Sequence, residues 1–127
     1  MSDFLLDTQA LLWWLADDPR LPPTARELIA DPGNLPVFSA ASAWEISIKA
    51  ALGKLEVADD WPEAARADGF GELSIHVEHA RVAGGLDWDH RDPFDRMLVA
   101  QTLTEGVTLI TGDARIRARR LRAGLPL

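Results

Sequence analysis

The chain has 127 residues, 47% of them hydrophobic, no Cys, and 13 Lys and Arg against 20 Asp and Glu for a net charge of -7. Without a thiol there is no disulfide framework, iron-sulfur cluster or thiolate zinc site, and at this length about two thirds of the unfolded surface leaves water on folding, enough for a core without such staples. The longest apolar run, Ala10 to Ala16, falls far short of the ~20 residues of a membrane span, and Met1-Ser2-Asp3 lacks the cationic start of a signal peptide, so the expectation is one cytoplasmic domain over residues 1–127.

Phe4-Leu5-Leu6 predicts a short buried strand, and Thr8 to Ala16 a helix ended by Asp17-Asp18-Pro19. Pro22-Pro23 opens a helix over Thr24 to Ala30 that Asp31-Pro32-Gly33 stops, and Pro36-Val37-Phe38 predicts a second strand running into Ser39. From Ala40 to Leu52 the apolar positions Trp44, Ile48, Ala51 and Leu52 recur at helical spacing, with Gly53 as a C-terminal stop. A helix over Pro62 to Ala67, a third strand over Glu72 to Ile75 and a helix over Val77 to Ala83, closed by Gly84-Gly85, follow. Asp92-Pro93 opens a helix from Phe94 to Thr104 that Gly106 ends, and Val107 to Ile110 is the fourth strand. Asp113 leads into a final helix, and Gly124 to Leu127 adds a short last strand. Apolar strands alternating with helices predict an α/β sandwich on a parallel sheet with right-handed connections.

Charge is uneven along this chain. Residues 1–112 hold 8 basic and 19 acidic side chains, whereas the tail holds Arg115, Arg117, Arg119, Arg120 and Arg122 against Asp113. An acidic body argues against nonspecific wrapping of nucleic acid, because phosphate affinity comes from Lys and Arg that displace counterions. Local contact through the basic tail stays open, as does a solvated helix face that complements the helix dipole.

Four acids, Asp7, Glu45, Asp95 and Asp113, fall just after an apolar strand or early in a helix. Residues beyond the carboxyl ends of parallel strands line one crevice, so acids remote in sequence can meet there. Each also has a local role available: Asp7 and Asp113 as helix N-caps, Ser42 with Glu45 as a capping box, and Asp92-Pro93 with Asp95 as a capped first turn. Four carboxylates on one rim repel one another, and a bound cation relieves that repulsion. Oxygen-only ligands select hard ions, so Mg2+ or Mn2+ is the inference, and metal-assisted hydrolysis of a phosphodiester is the reaction class it suits.

At these residues the sequence resembles a known family. Leu5-Leu6-Asp7-Thr8, Ser42-Ala43-Trp44-Glu45-Ile46, Asp92-Pro93-Phe94-Asp95-Arg96-Met97-Leu98 and Leu109-Ile110-Thr111-Gly112-Asp113, in that order and approximate spacing, look like the PIN-domain ribonucleases, specifically the VapC-type toxins of bacterial toxin-antitoxin pairs. The resemblance spans nearly the whole chain. It implies a PIN-like, Rossmann-like three-layer sandwich with a central, mainly parallel sheet, a Mg2+ or Mn2+ cofactor, an RNA substrate, an antitoxin partner and a homodimer or a heteromer with the antitoxin. By the same resemblance Asp7, Asp95 and Asp113 are metal ligands and Glu45 completes the catalytic acids, binding through water or orienting the attacking water. Thr111, Thr8 and Asp92 are supporting residues, with Asp113 the most variable of the acids in the family and Gln9 standing where many relatives carry His. The implied reaction is endoribonucleolytic: a metal-activated water attacks in line and leaves a 5'-phosphate and a 3'-hydroxyl.

Lys49, four residues after Glu45, is placed either to pair with it or to contact phosphate, and Arg91, Arg96 and Arg115 are further candidates for RNA contact. His76, His79 and His90 have no metal-ligand spacing with the acids, and His76 and His79 read as surface polarity. Five Trp are core material first and base-stacking platforms second, and adjacent Trp13 and Trp14 point about 100° apart, which favours a partner surface for one of them. A receiver domain fits poorly, because one Asp follows the first strand and no Lys occurs after Lys54; a D-x-D phosphatase fails at Gln9. A PIN fold that binds without cutting is the remaining alternative.

Overall fold

The computed structural model describes residues 2–112; Asp113, Arg115, the predicted Arg-rich helix and the predicted last strand lie outside them. The chain runs through strand β1 (Ser2–Leu6), helices α1 (Thr8–Leu15) and α2 (Pro23–Ala30), strand β2 (Asn34–Ser39), helices α3 (Ala40–Ala51) and α4 (Trp61–Ala67), strand β3 (Gly71–Leu73), helices α5 (Val77–Gly85) and α6 (Pro93–Glu105), and strand β4 (Thr108–Ile110). The four strands form one sheet in the order β3-β2-β1-β4. Every pairing is parallel, with Leu5 opposite Val37 on one side and Leu109 on the other.

Side chains alternate across a strand, and here that alternation divides the core in two. Leu6 and Phe38 join Ala10, Leu11, Ala25, Ile29, Ile46, Trp61, Ala65 and Phe70 on the face covered by α1 to α4. Leu5 and Leu109 point the other way, onto Leu98 and Val99 of α6, with Val37, Leu73 and Leu86 packed at the margin. Helices on both faces of a parallel sheet make three layers, because a sheet buried on both sides needs apolar residues at successive positions. Leu5 and Leu6 are both fully buried.

Local chemistry explains most element ends. Asp7, Ser39 and Asp92 cap α1, α3 and α6, each side-chain oxygen accepting a backbone N–H that the first helical turn leaves unpaired. Gly106 closes α6 at φ 68°, a left-handed conformation that glycine adopts without steric cost. The predicted Ser42 to Glu45 capping box does not form: α3 begins three residues earlier, behind Ser39, and both residues lie inside the helix with their side chains turned toward α1. The predicted stop at Gly84-Gly85 comes two residues early, since α5 runs through both glycines. Strand β3 starts at Gly71 and ends before Ser74 and Ile75.

The apolar spacing that identifies α3 belongs to its outer side. Trp44 is 61% exposed and Leu52 63%, with Ile48 also exposed, whereas the inner face carries Ala41, Ser42, Glu45 and Ile46.

Candidate active site

Strands β1 and β4 end side by side, and the backbone N–H of Asp7 donates to the carbonyl of Ile110 across that end at 3.0 Å. Asp7 is therefore held at the carboxyl edge of the sheet while it caps α1. Its Oδ1 accepts from the amide of Ala10 at 2.7 Å, and its Oδ2 accepts from the hydroxyl of Thr111, just past β4, at 2.5 Å. Asp7 is 6% exposed; one of its oxygens is held by the helix it caps, and the other by Thr111, which the pairing of β1 with β4 brings beside it.

Glu45 comes from the second turn of α3 and is also buried. Thr8 Oγ1 lies 2.6 Å from Glu45 Oε1 and 2.9 Å from Ser42 Oγ, so the first helix and the third are joined by a buried chain of two hydroxyls and a carboxylate. An ionised carboxylate only accepts, so the Thr8 hydroxyl donates to Glu45 and Ser42 completes the chain by donating to Thr8. On the other oxygen Glu45 receives Lys49 Nζ at 2.6 Å, the pairing that the i,i+4 spacing offers. That hydrogen bond raises the Lys49 pKa above its ordinary value; partial burial works against it, and the nearby charges of Glu45, Asp92 and Asp95 add to it.

Asp92 and Asp95 come from the start of α6. Asp92 Oδ1 accepts from the amides of Phe94 and Asp95, which fixes the first turn, and Pro93 presets its backbone angle. Asp95 Oδ2 lies 2.6 Å from His90 Nε2. Asp7, Thr8, Glu45, Lys49, Asp92 and Asp95 all line one open cavity of about 520 Å3, whose wall also includes Gly112 and Lys54.

The structure gives three sequence-predicted residues other surroundings. Arg96 does not reach the cavity: its guanidinium donates to the carbonyls of Ala83, Leu86, Trp88 and His90 at 2.7 to 3.1 Å, which spends the fork of donors on the end of α5 and the loop that follows it. Arg91 is exposed beside Asp92 and is not part of the cavity wall. His79, read from sequence as surface polarity, is 1% exposed, accepting the amide of His76 on Nδ1 and meeting Glu105 through Nε2 at 3.1 Å. Sequence reasoning also set aside His90, whose contact with Asp95 spans a proline and a helix cap; the signal was its place five residues before an acid already singled out.

Whether these groups suit a divalent ion is a question of donor chemistry and spacing. The cavity is walled by four carboxylates and no thiol or imidazole, which is the set a hard cation takes. Among the described residues no three such side chains are drawn together closely enough to hold an ion as they stand. Glu45 is paired with Lys49 and Asp95 is hydrogen-bonded to His90, and the donors fit a divalent ion in kind.

The PIN domain model matches residues 4–121. Ribonuclease VapC22 of Mycobacterium tuberculosis (strain ATCC 25618 / H37Rv) is 29% identical over 124 residues, 94% of this chain and 94% of that protein. The fold superposes on a chain of the crystal structure of VapBC2 from Rickettsia felis, bound to a DNA fragment from their promoter, with a TM-score of 0.65 and 15% identity, covering 95% of this chain and 94% of that one. With its parallel sheet and its acids at the strand ends, this chain belongs to the PIN-domain family and resembles the VapC type within it.

Proposed function

We propose that this protein is a Mg2+- or Mn2+-dependent endoribonuclease, acting as the toxin of a toxin-antitoxin pair. The observation that carries the proposal is the cavity in which Asp7, Glu45, Asp92 and Asp95 meet beside Lys49 at the carboxyl ends of the strands, in a PIN-domain chain similar to a ribonuclease. Asp7 and Asp95 are the proposed ligands, with Asp113 joining them from beyond the described residues. A bound divalent ion would neutralise phosphate charge and acidify a water.

The protein's own groups account for the remaining tasks. Thr111 and the Ala10 amide orient Asp7 by donating to its two carboxylate oxygens. Glu45, fixed by Thr8, is the group proposed to orient the attacking water and take its proton. Lys49 is proposed to contact a phosphate oxygen, and Lys54 lines the same wall. Arg91 and Arg115 are proposed as peripheral contacts to RNA, a role the carbonyl bonds of Arg96 leave it unsuited to.

Two apolar surfaces suit the proposed partners. A groove of about 400 Å3 formed by Leu12, Trp13, Leu15, Leu55, Val57 and Trp61 adjoins the acidic cavity through Leu12, Trp13 and Leu55, and an antitoxin segment lying there would reach the acids. The exposed stripe of α3 is the proposed contact between two copies of the chain.

Cleavage of an end-labelled structured RNA by the purified, antitoxin-free protein tests the reading. Cutting is expected with Mg2+ or Mn2+, none with EDTA, and a rate at least about 100-fold lower for Asp7→Asn. Cutting that survives both EDTA and Asp7→Asn overturns the metal mechanism. Binding of RNA and metal with no cutting across a varied RNA panel would favour a PIN fold that only binds.

A further inference from the structure

We propose that His90 is a positioning residue for the acidic site, its Nε2–H holding the Asp95 carboxylate in the orientation in which it faces the cavity. The inference rests on the reading of that cavity as a metal-dependent nuclease site. His90 does not line the cavity; it stands behind Asp95, with its Nε2 2.6 Å from Asp95 Oδ2. A nitrogen at that distance from a carboxylate oxygen carries the proton, and a bond this short belongs to the charge-assisted kind.

The imidazole is itself held from two sides. Its ring packs against Trp88 with centroids 4.8 Å apart, and its side chain is 8% exposed. Arg96, one residue after Asp95, donates to the carbonyls of both Trp88 and His90. The loop that carries His90 is thus tied to the same first turn of α6 that carries Asp95, and the two side chains keep their spacing as a unit. An aspartate at an exposed helix start has several rotamers open to it, and ordering it for a ligand costs entropy that this arrangement removes in advance. Groups bonded to metal-ligating carboxylates act in this way in general, and their loss costs about 10–100-fold in metal affinity or activity.

The experiment uses the full chain in three variants, His90→Leu, His90→Gln and Asp95→Asn, reading free Mn2+ by electron paramagnetic resonance and cleavage of the same RNA at saturating metal. The Gln amide nitrogen can donate to Asp95, and Leu cannot. His90→Leu is expected to weaken Mn2+ binding and lower kcat by about 10–100-fold with KM for RNA little changed, and His90→Gln to recover both to within about threefold of wild type. Equal behaviour of His90→Leu and wild type overturns the proposal, as does a folded His90→Gln as impaired as Asp95→Asn. If the Leu variant does not fold, as read by urea unfolding, the Gln variant decides alone on the same criterion. Asp95→Asn separates this proposal from the reading beneath it: wild-type metal binding and cutting in that variant remove Asp95 from the site, whereas loss there with no effect of His90→Leu removes only His90.

Discussion

At the scale of single residues, hydroxyl groups decide how the carboxylates stand. Thr111 donates to Asp7 and Thr8 donates to Glu45, both within buried surroundings, so a Thr→Val change keeps the shape and takes away one donor. Leaving a buried charged acceptor without its partner costs about 1–3 kcal/mol. Thr111→Val is therefore expected to lower unfolding free energy in urea by that amount and cleavage by at least tenfold, with Thr111→Ser recovering most of both; a Val variant as active as wild type would remove the hydroxyl from the site. Lys49 carries a second prediction. Its folded pKa is raised, chiefly by the bond to Glu45, so its contribution to stability is fully present below the unfolded value and is lost as pH rises through the higher folded one. Between about pH 7 and about pH 9 the ammonium stays charged, below its ordinary value near 10.4. Lys49→Met is thus expected to cost the same stability, about 1 kcal/mol for a pair whose lysine is half-exposed, at both ends of that window. A cost that fades toward pH 9 would contradict the direction of the shift.

At the scale of elements, the loop between α5 and α6 depends on a cation that sequence reading assigned to RNA. Arg96 satisfies three carbonyls of that loop and one from the end of α5 with a planar fork of donors, a geometry that the single ammonium of Lys does not reproduce. Arg96→Lys is expected to destabilise the fold by about 2–3 kcal/mol and to speed amide exchange in residues 84–91, without changing the salt dependence of RNA binding. If instead stability held and the slope of log affinity against log salt fell by about one, Arg96 would be a phosphate contact after all. The contrast shows what kind of information sequence carries. Asp7 and Asp92 were legible because their placement follows from capping, a rule local to four residues, and the parallel sheet was legible because strands buried on both faces read as apolar runs. The bonds from His90 to Asp95 and from Arg96 to the loop depend on how a turn without periodicity folds back, so the five-residue spacing of His90 from Asp95 marks a neighbour without fixing the contact.

At the scale of the whole molecule, the helix read from sequence by the apolar spacing of Trp44, Ile48, Ala51 and Leu52 presents that spacing to solvent. The inner side of α3 carries Ala41, Ser42 and Glu45 beside a single large apolar residue, Ile46, and it lends a carboxylate to the cavity where the helix meets α1. Periodicity found the helix but not which side faces the core, since an apolar stripe fits a sheet and a second molecule equally well. Trp44 meets Phe94 edge to face at 5.2 Å, so the stripe extends from α3 onto the start of α6, next to the turn that holds Asp95. Two copies that pair there must overcome the repulsion of a net charge of -7 each, and the stripe offers apolar burial to do so. This gives the proposed dimer a diagnostic dependence on salt: screening weakens the repulsion and leaves the apolar term, so association tightens between about 0.05 M and about 0.5 M salt, where an ion-paired interface would loosen. Sedimentation velocity is expected to show a wild-type dimer with that dependence. Trp44→Lys with Leu52→Lys is expected to give a monomer of unchanged helical circular dichroism, because both side chains are more than half exposed and the fold does not rest on them. A wild-type chain that stays monomeric at about 100 μM in high salt would assign the stripe to another partner, since a Kd weaker than that corresponds to less than about 5.5 kcal/mol of association.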